Sequence, residues 1–170
     1  MPAPRSIRCP AETAPGARGG APALELERFL PYRLSVLSNR VSSAIARVYS
    51  ERFGVGVTQW RVMAVLGQQP LLSAGEVAAR TAMDKVAVSR AVAGLAERGL
   101  LEREIHGDDR RRSVLALSPQ GRQVHDDIVP LALAFERRLL DGMDGEERAL
   151  LFRLLDRLDE LELQAESAHP

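Results

Sequence analysis

Apolar residues recur along this chain in two rhythms, and the change between them marks its organisation. From Glu25 to Arg52, Leu30, Leu34, Leu37, Val41, Ile45 and Val48 fall three or four apart. That spacing predicts a long helix with one narrow apolar stripe. Ser35, Ser38, Ser42 and Tyr49 flank the stripe on one side, and Arg33, Arg40 and Arg47 on the other. Pro31 fits only near the start of that helix or at a kink. Gly54 and Gly56 end it. Thr58 is the expected N-cap of a second helix, TQWRVMAVLGQQ, with Trp60, Met63, Ala64 and Leu66 as its apolar positions. A turn containing Pro70 follows. Ser73 and Glu76 then form a Ser-x-x-Glu capping box that opens a short third helix, Ala74 to about Thr81, burying Val77 and Ala78. Asp84 caps a fourth helix. Val88, Val92 and Leu95, with Ala91 beside them, form its inner stripe. Val86, Arg90, Ala93 and Glu97 lie on the opposite face, with Ser89 at the edge. Gly99 stops it.

The rhythm then shortens. Leu100 to Ile105 and Ser113 to Leu117 read as two strands around Gly107-Asp108-Asp109, which is turn chemistry. This is a hairpin with an arginine-rich tip. Helical spacing returns at Ser118-Pro119, a serine N-cap with proline at the first helical position. Pro130 is expected to bend this fifth helix. Asp144 and Glu147 box the start of a sixth, whose Leu150, Leu151, Leu154, Leu155, Leu158 and Leu161 form a broad apolar face. Those leucines read as core first and as cover for a second copy next. Residues 1–23 are rich in Pro, Ala and Gly and cannot bury enough surface to offset their ordering entropy, so they read as a disordered tail. Cys9 lies in that tail, with no charge cluster that would activate its thiol.

Composition changes little in this picture. The chain has 170 residues, 45% hydrophobic and 27% charged, which suits one globular domain over residues 24–170. A single cysteine allows no internal disulfide, and no apolar run approaches the roughly 20 residues of a membrane span. No apolar block follows Arg5 and Arg8, so no signal peptide is read there. A cytoplasmic location and no membrane partner are expected. Net charge is zero. A nucleic-acid reader need be basic only on the face that meets phosphate, so the distribution matters more than the sum. From Asp84 to Arg112 there are seven basic and six acidic residues, three of the basic ones consecutive at the hairpin tip. From Asp141 onward nine acidic residues face three basic ones, so the last helix is expected to point away from a polyanion.

Two helices joined by a tight turn, with a hairpin behind, form a winged helix-turn-helix. The major groove is about 12 Å wide and admits one helix. The outward residues of the fourth helix suit it. Val86 and Ala93 are small enough to let the helix seat, Val86 can meet a thymine methyl, Ser89 is polar, and Arg90 is the preferred bidentate partner of guanine. Lys85 can reach a phosphate. Arg110, Arg111 and Arg112 at the end of a two-stranded arm suit a narrow minor groove. Asp108 and Asp109 can brace those guanidinium groups.

These segments resemble the MarR family of bacterial winged-helix regulators, over about Leu30 to Leu163. The matching stretches are TQWRVMAVL, SAGEVAARTAMDKVAVSRAVAGLAERGLLER and DDRRRSVLALSPQG. The last is the most specific: an Asp-Arg-Arg tip, an apolar strand, then Ser-Pro-x-Gly opening a helix. Ala87 stands where the family often has a hydroxyl residue. The resemblance implies a mainly α fold with a small β-wing, a winged helix-turn-helix over 57–118, and dimerisation helices over 25–53 and 119–165 that interlock with a second copy. It implies that Asp109 braces Arg111 in the minor groove. It implies double-stranded DNA as partner, a homodimer on an inverted repeat, and repression released by a small phenolic or aromatic acid. Ser38, Arg40 and Trp60 are the residues expected to line that effector's pocket, as hydroxyl, cation and aromatic wall. The other reading of Arg40 is an ion pair across the dimer, and of Trp60 a core side chain.

The remaining alternatives are a helical protein-interaction module and an enzyme. His106, His125 and His169 match no metal spacing, and no nucleophile elbow, P-loop or dinucleotide fingerprint occurs. No cofactor, catalytic residue or metal ligand is expected.

Overall fold

A computed structural model describes residues 23–105 and 113–161. The expected tail, Cys9 and the hairpin tip with Asp109, Arg110, Arg111 and Arg112 lie outside the described residues. The chain divides into two units, Met1–Leu37 and Ser38–Pro170. The described part of the first holds a turn over 26–28 and the start of helix α1 (Leu30–Phe53), with Leu30, Leu34 and Leu37 exposed.

The second unit carries the rest of α1, then α2 (Val57–Gln68), α3 (Ala74–Thr81), α4 (Lys85–Glu97), β1 (Leu101–Ile105), β2 (Ser113–Leu117), α5 (Pro119–Leu139) and α6 (Gly145–Asp159). Among the described residues the fold is mainly helical with one two-stranded antiparallel sheet, as the hydrophobic rhythm predicts. Its core draws Tyr49 from α1, Val62, Met63 and Leu66 from α2, and Val77 and Ala78 from α3. Val88, Ala91, Val92 and Leu95 from α4, Leu115 and Leu117 from β2, and Ile128 from α5 complete it with Val55, Leu72, Leu100 and Leu101. Among the described residues no helix is long and apolar enough to cross a membrane.

Local chemistry explains most element boundaries. Ser73, Asp84, Ser118 and Asp144 cap α3, α4, α5 and α6 through their side-chain oxygens. Gly54 and Gly99 take left-handed φ values of 63° and 67° just past α1 and α4, where a side chain would be strained.

Three expectations need correction. Thr58 is not the cap of α2. That helix starts one residue earlier, and the Gln59 side chain accepts the Gly56 N–H at 3.0 Å. A glycine cap has no side-chain oxygen, so the glutamine supplies the closing bond. Tyr49, read as a polar flank, is 1% exposed and belongs to the core. The leucines of α6 are not core within the chain, since α6 contributes no buried residue.

Candidate nucleic-acid interface

The helix-turn-helix is built from reciprocal caps and one tight turn. The Ser73 backbone N–H donates to the Glu76 carboxylate at 2.8 Å, while the Glu76 N–H donates to Ser73 Oγ at 3.2 Å. This box starts α3 with two of its orphan donors satisfied. At its end, Thr81 Oγ1 donates back to the Val77 carbonyl at 2.7 Å. Ala82 then enters the left-handed region at φ 49°, and the Met83 N–H donates to the Ala78 carbonyl at 3.2 Å. A single residue thus reverses the chain. Asp84 Oδ1 accepts from the N–H groups of Val86 at 2.8 Å and Ala87 at 3.1 Å, which fixes where α4 begins.

That starting point decides which side chains face outward. Val88, Ala91, Val92 and Leu95 are buried, and Lys85, Val86, Ser89, Arg90 and Ala93 are all exposed. Val86 is 56% exposed, a large value for a valine so close to a core. Neither Lys85 nor Arg90 has an ion pair or side-chain hydrogen bond among the described residues. The face is therefore small, partly apolar and carries two uncommitted cations, a combination that seats in a groove and donates to acceptors there.

Behind α4 the wing pairs Leu101 with Leu117, Arg103 with Leu115 and Ile105 with Ser113. Its base is pinned to the α2–α3 connection. The Leu71 N–H donates to the Leu115 carbonyl at 2.9 Å, and the Leu115 N–H donates to that of Leu72 at 2.8 Å. The Ser-Pro-x-Gly motif serves the far end of the wing. Ser118 Oγ accepts from the Gly121 N–H at 2.9 Å and donates to the Gly99 carbonyl at 2.6 Å. Gly121 is buried, and only glycine fits there, since a Cβ would collide with the backbone of Leu100. The motif is a hinge pin between the end of α4 and the start of α5.

The effector candidates do not assemble into one site within the chain. Ser38 and Arg40 are exposed on α1. Arg40 lines a shallow cleft with Asn39, Ser43, Ala44 and Arg47, all from α1. It stands nine positions before Tyr49, about two and a half helical turns, so it faces away from the core. Trp60 faces the other way. Its ring packs 5.7 Å from that of Tyr49 and 5.7 Å from that of His125, and it touches the core.

Residues that the sequence reading passed over surround Trp60. The Tyr49 hydroxyl is buried without a hydrogen-bond partner, and burial pushes its phenol above the ordinary 10.0, with Arg61 pulling the other way. Arg61 donates to Ser42 Oγ at 2.9 Å. His125 packs on the bare face of Gly67, whose carbonyl accepts from Arg122 at 3.0 Å. Ser42 and Tyr49 lie seven apart, two turns on one helix face, and that spacing was the available signal.

Comparison with known proteins agrees with this geometry. The model of the MarR family matches residues 53–112, from the last residue of α1 to the residue before β2. The chain is 30% identical over 93 residues to the HTH-type transcriptional regulator BilQ of Clostridium symbiosum, an alignment covering 55% of this chain and 65% of that protein. It thus spans just under two thirds of that relative's length. Among solved structures it is similar to a MarR/EmrR family regulator from Acinetobacter sp. ADP1. That match has a TM-score of 0.74 and 28% identity, and covers 80% of this chain and 96% of the other. BpsR of Bordetella bronchiseptica, whose DNA binding is regulated by 6-hydroxynicotinic acid, shares the fold. There the TM-score is 0.73 at 22% identity, with 83% and 100% of the two chains covered.

Proposed function

Because this chain belongs to the MarR family of transcriptional regulators, we propose that it acts as a homodimeric repressor that binds an inverted-repeat DNA operator and is released by a small ligand. The observation that carries this reading is the outer face of α4. Lys85, Val86, Ser89, Arg90 and Ala93 stand exposed together on a helix whose start is fixed by Asp84 and whose inner side is locked into the core. In this reading Arg90 donates to a guanine edge and Lys85 to a phosphate, while Arg110, Arg111 and Arg112 reach the minor groove with Asp109 as brace. The helices over 25–53 and 119–165 form the dimer, and the winged helix-turn-helix spans 57–118.

The dimer is supported by what α1, α5 and α6 leave uncovered. Leu150, Phe152, Leu154 and Leu155 of α6 are exposed, as are Leu133 and Leu139 of α5 and Leu30, Leu34 and Leu37 of α1. Apolar area of that extent calls for a partner surface. Two copies related by a two-fold axis then present their α4 helices to successive major grooves, about 34 Å apart.

Release by a small aromatic acid is supported by the unmatched chemistry around Trp60 and by BpsR's response to 6-hydroxynicotinic acid. Ser38 and Trp60 remain candidates for that pocket. Arg40, on the far side of α1, enters it only if a second copy completes the site.

Salt dependence tests the DNA reading. A dimer neutralising six or more phosphates should lose on the order of a thousandfold in duplex affinity between 50 and 200 mM salt. A helical protein-interaction module would show flat, negligible duplex binding over the same range.

A further inference from the structure

α4 has two kinds of attachment to the rest of the chain. The first is apolar. Val88, Ala91, Val92 and Leu95 bury against neighbouring elements, and such contact resists separation but has little directional preference. The second is polar and runs from its last turn to the end of α1. Arg98 is the C-cap residue of α4. Its guanidinium donates through Nη1 to the Gly54 carbonyl at 2.8 Å and through Nη2 to the Phe53 carbonyl at 2.6 Å. Among the described residues these are the hydrogen bonds that join α4 to the end of α1.

The acceptors are well matched to the donor. The last carbonyls of a helix lack intrahelical partners and carry its negative dipole end. A forked cation satisfies one of them, at Phe53, together with the carbonyl of Gly54 just beyond the helix, and fixes its own direction in doing so. Gly54 shapes the receiving surface, since its left-handed backbone turns the chain away just past α1. Close packing lies beside it. Gln59, whose Oε1 accepts the Gly56 N–H, places its Nε2 3.1 Å from where a Cβ of Gly94 would stand, a near approach with no bond to α4. The corner from Phe53 to Gln59 is therefore bonded to α4 at Arg98 and packs closely on it at Gly94.

We propose that Arg98 is the positioning residue that sets the direction of the recognition helix relative to α1. It touches no DNA in this scheme. It transfers the geometry of the dimer frame to the reading head and so determines which half-site spacing the pair accepts. The proposal rests on the DNA reading and on α1 as a dimer helix. It adds that the two are joined by a specific, removable fork rather than by packing alone.

The test uses a duplex selected by the wild-type chain from a random pool. Affinities are compared for the full inverted repeat, for the same repeat with one half-site scrambled, and for spacers one base pair shorter and longer. Arg98→Ala should bind the single half-site about as well as wild type. It should lose on the order of tenfold or more on the full repeat, where both heads must engage together, and its spacer preference should flatten. Arg98→Lys, a point charge without the fork, should fall between. Equal losses on half-site and full repeat would mean a merely structural role, and an unchanged spacer preference would also overturn the proposal. So would failure of both variants to fold.

A second measurement needs no DNA. Spin labels at Ala93→Cys in a Cys9→Ser background report the distance between the two α4 helices of the dimer. That distribution should broaden on Arg98→Ala; an unchanged distribution overturns the proposal. If Arg98→Ala broadens the distribution while the wild-type chain selects no duplex from the pool, the DNA reading fails and the positioning role of the fork stands.

Discussion

Arg90 leaves α4 with its guanidinium uncommitted among the described residues, so removing it breaks no hydrogen bond or ion pair among them. Arg90→Ala should cost about 1–3 kcal/mol of operator binding and relax selectivity at one base pair. Competition between matched and single-substituted duplexes reads both, and thermal melting should stay close to wild type. Tyr49 is the opposite case, a polar group committed to a place where nothing receives it. A buried donor without a partner carries a desolvation penalty of about 1–3 kcal/mol. Tyr49→Phe should therefore leave stability unchanged or raise it by roughly 1 kcal/mol in denaturant unfolding at neutral pH. The pH dependence has a definite sign. Burial raises the folded phenol's pKa, so the unfolded chain gives up its proton near 10.0 while the folded chain still holds it. Folded stability falls as pH climbs past 10.0, and Tyr49→Phe should remove that part of the alkaline loss.

At the level of elements, the junction of α4, the wing and α5 depends on one missing side chain. Gly121→Ala would drive a methyl group into the Leu100 backbone, and backbone yields far less readily than a flexible side chain. A loss on the order of 1–3 kcal/mol is expected, with α5 displaced from the end of α4, as hydrogen exchange at Ser118 and Leu100 would report. The motif itself was visible in the sequence, because Ser118, Pro119 and Gly121 act within one turn of each other. The same holds for the Ser73–Glu76 and Asp144–Glu147 boxes and for the Asp84 cap. Thr58 misled because a good capping residue stood one position inside a helix that a glycine and a glutamine begin together. Tyr49 misled because a phenol on a helix flank looks polar until neighbouring helices close over it. Arg98 gave no local sign at all, since its acceptors lie 44 and 45 positions back in the chain.

For the molecule as a whole, the candidate reading face was legible for the same reason as the caps. The rhythm that buries Val88, Val92 and Leu95 necessarily turns Val86, Arg90 and Ala93 outward. A candidate effector site was not legible, because residue types suited to a ligand carry no information on which side of α1 they stand. Arg40 and Trp60 make this plain. If α6 and the exposed stretches of α1 and α5 are covered only in the pair, melting must depend on protein concentration. A tenfold dilution through the low-micromolar range should lower the melting temperature by several degrees. A midpoint independent of concentration, with a monomeric mass in solution, would remove the premise of paired reading heads.

The leucine face of α6 has one more consequence, in the cell rather than in the cuvette. Leu154 alone is 48% exposed, and a fragment carrying α6 and its neighbours but no intact α4 would still offer that face to a full-length copy. Mixed pairs would then hold one working reader and one blank, with grip enough for half an operator. Genetically, such a truncation would behave as dominant over the normal allele, its severity set by the ratio in which the two chains are made.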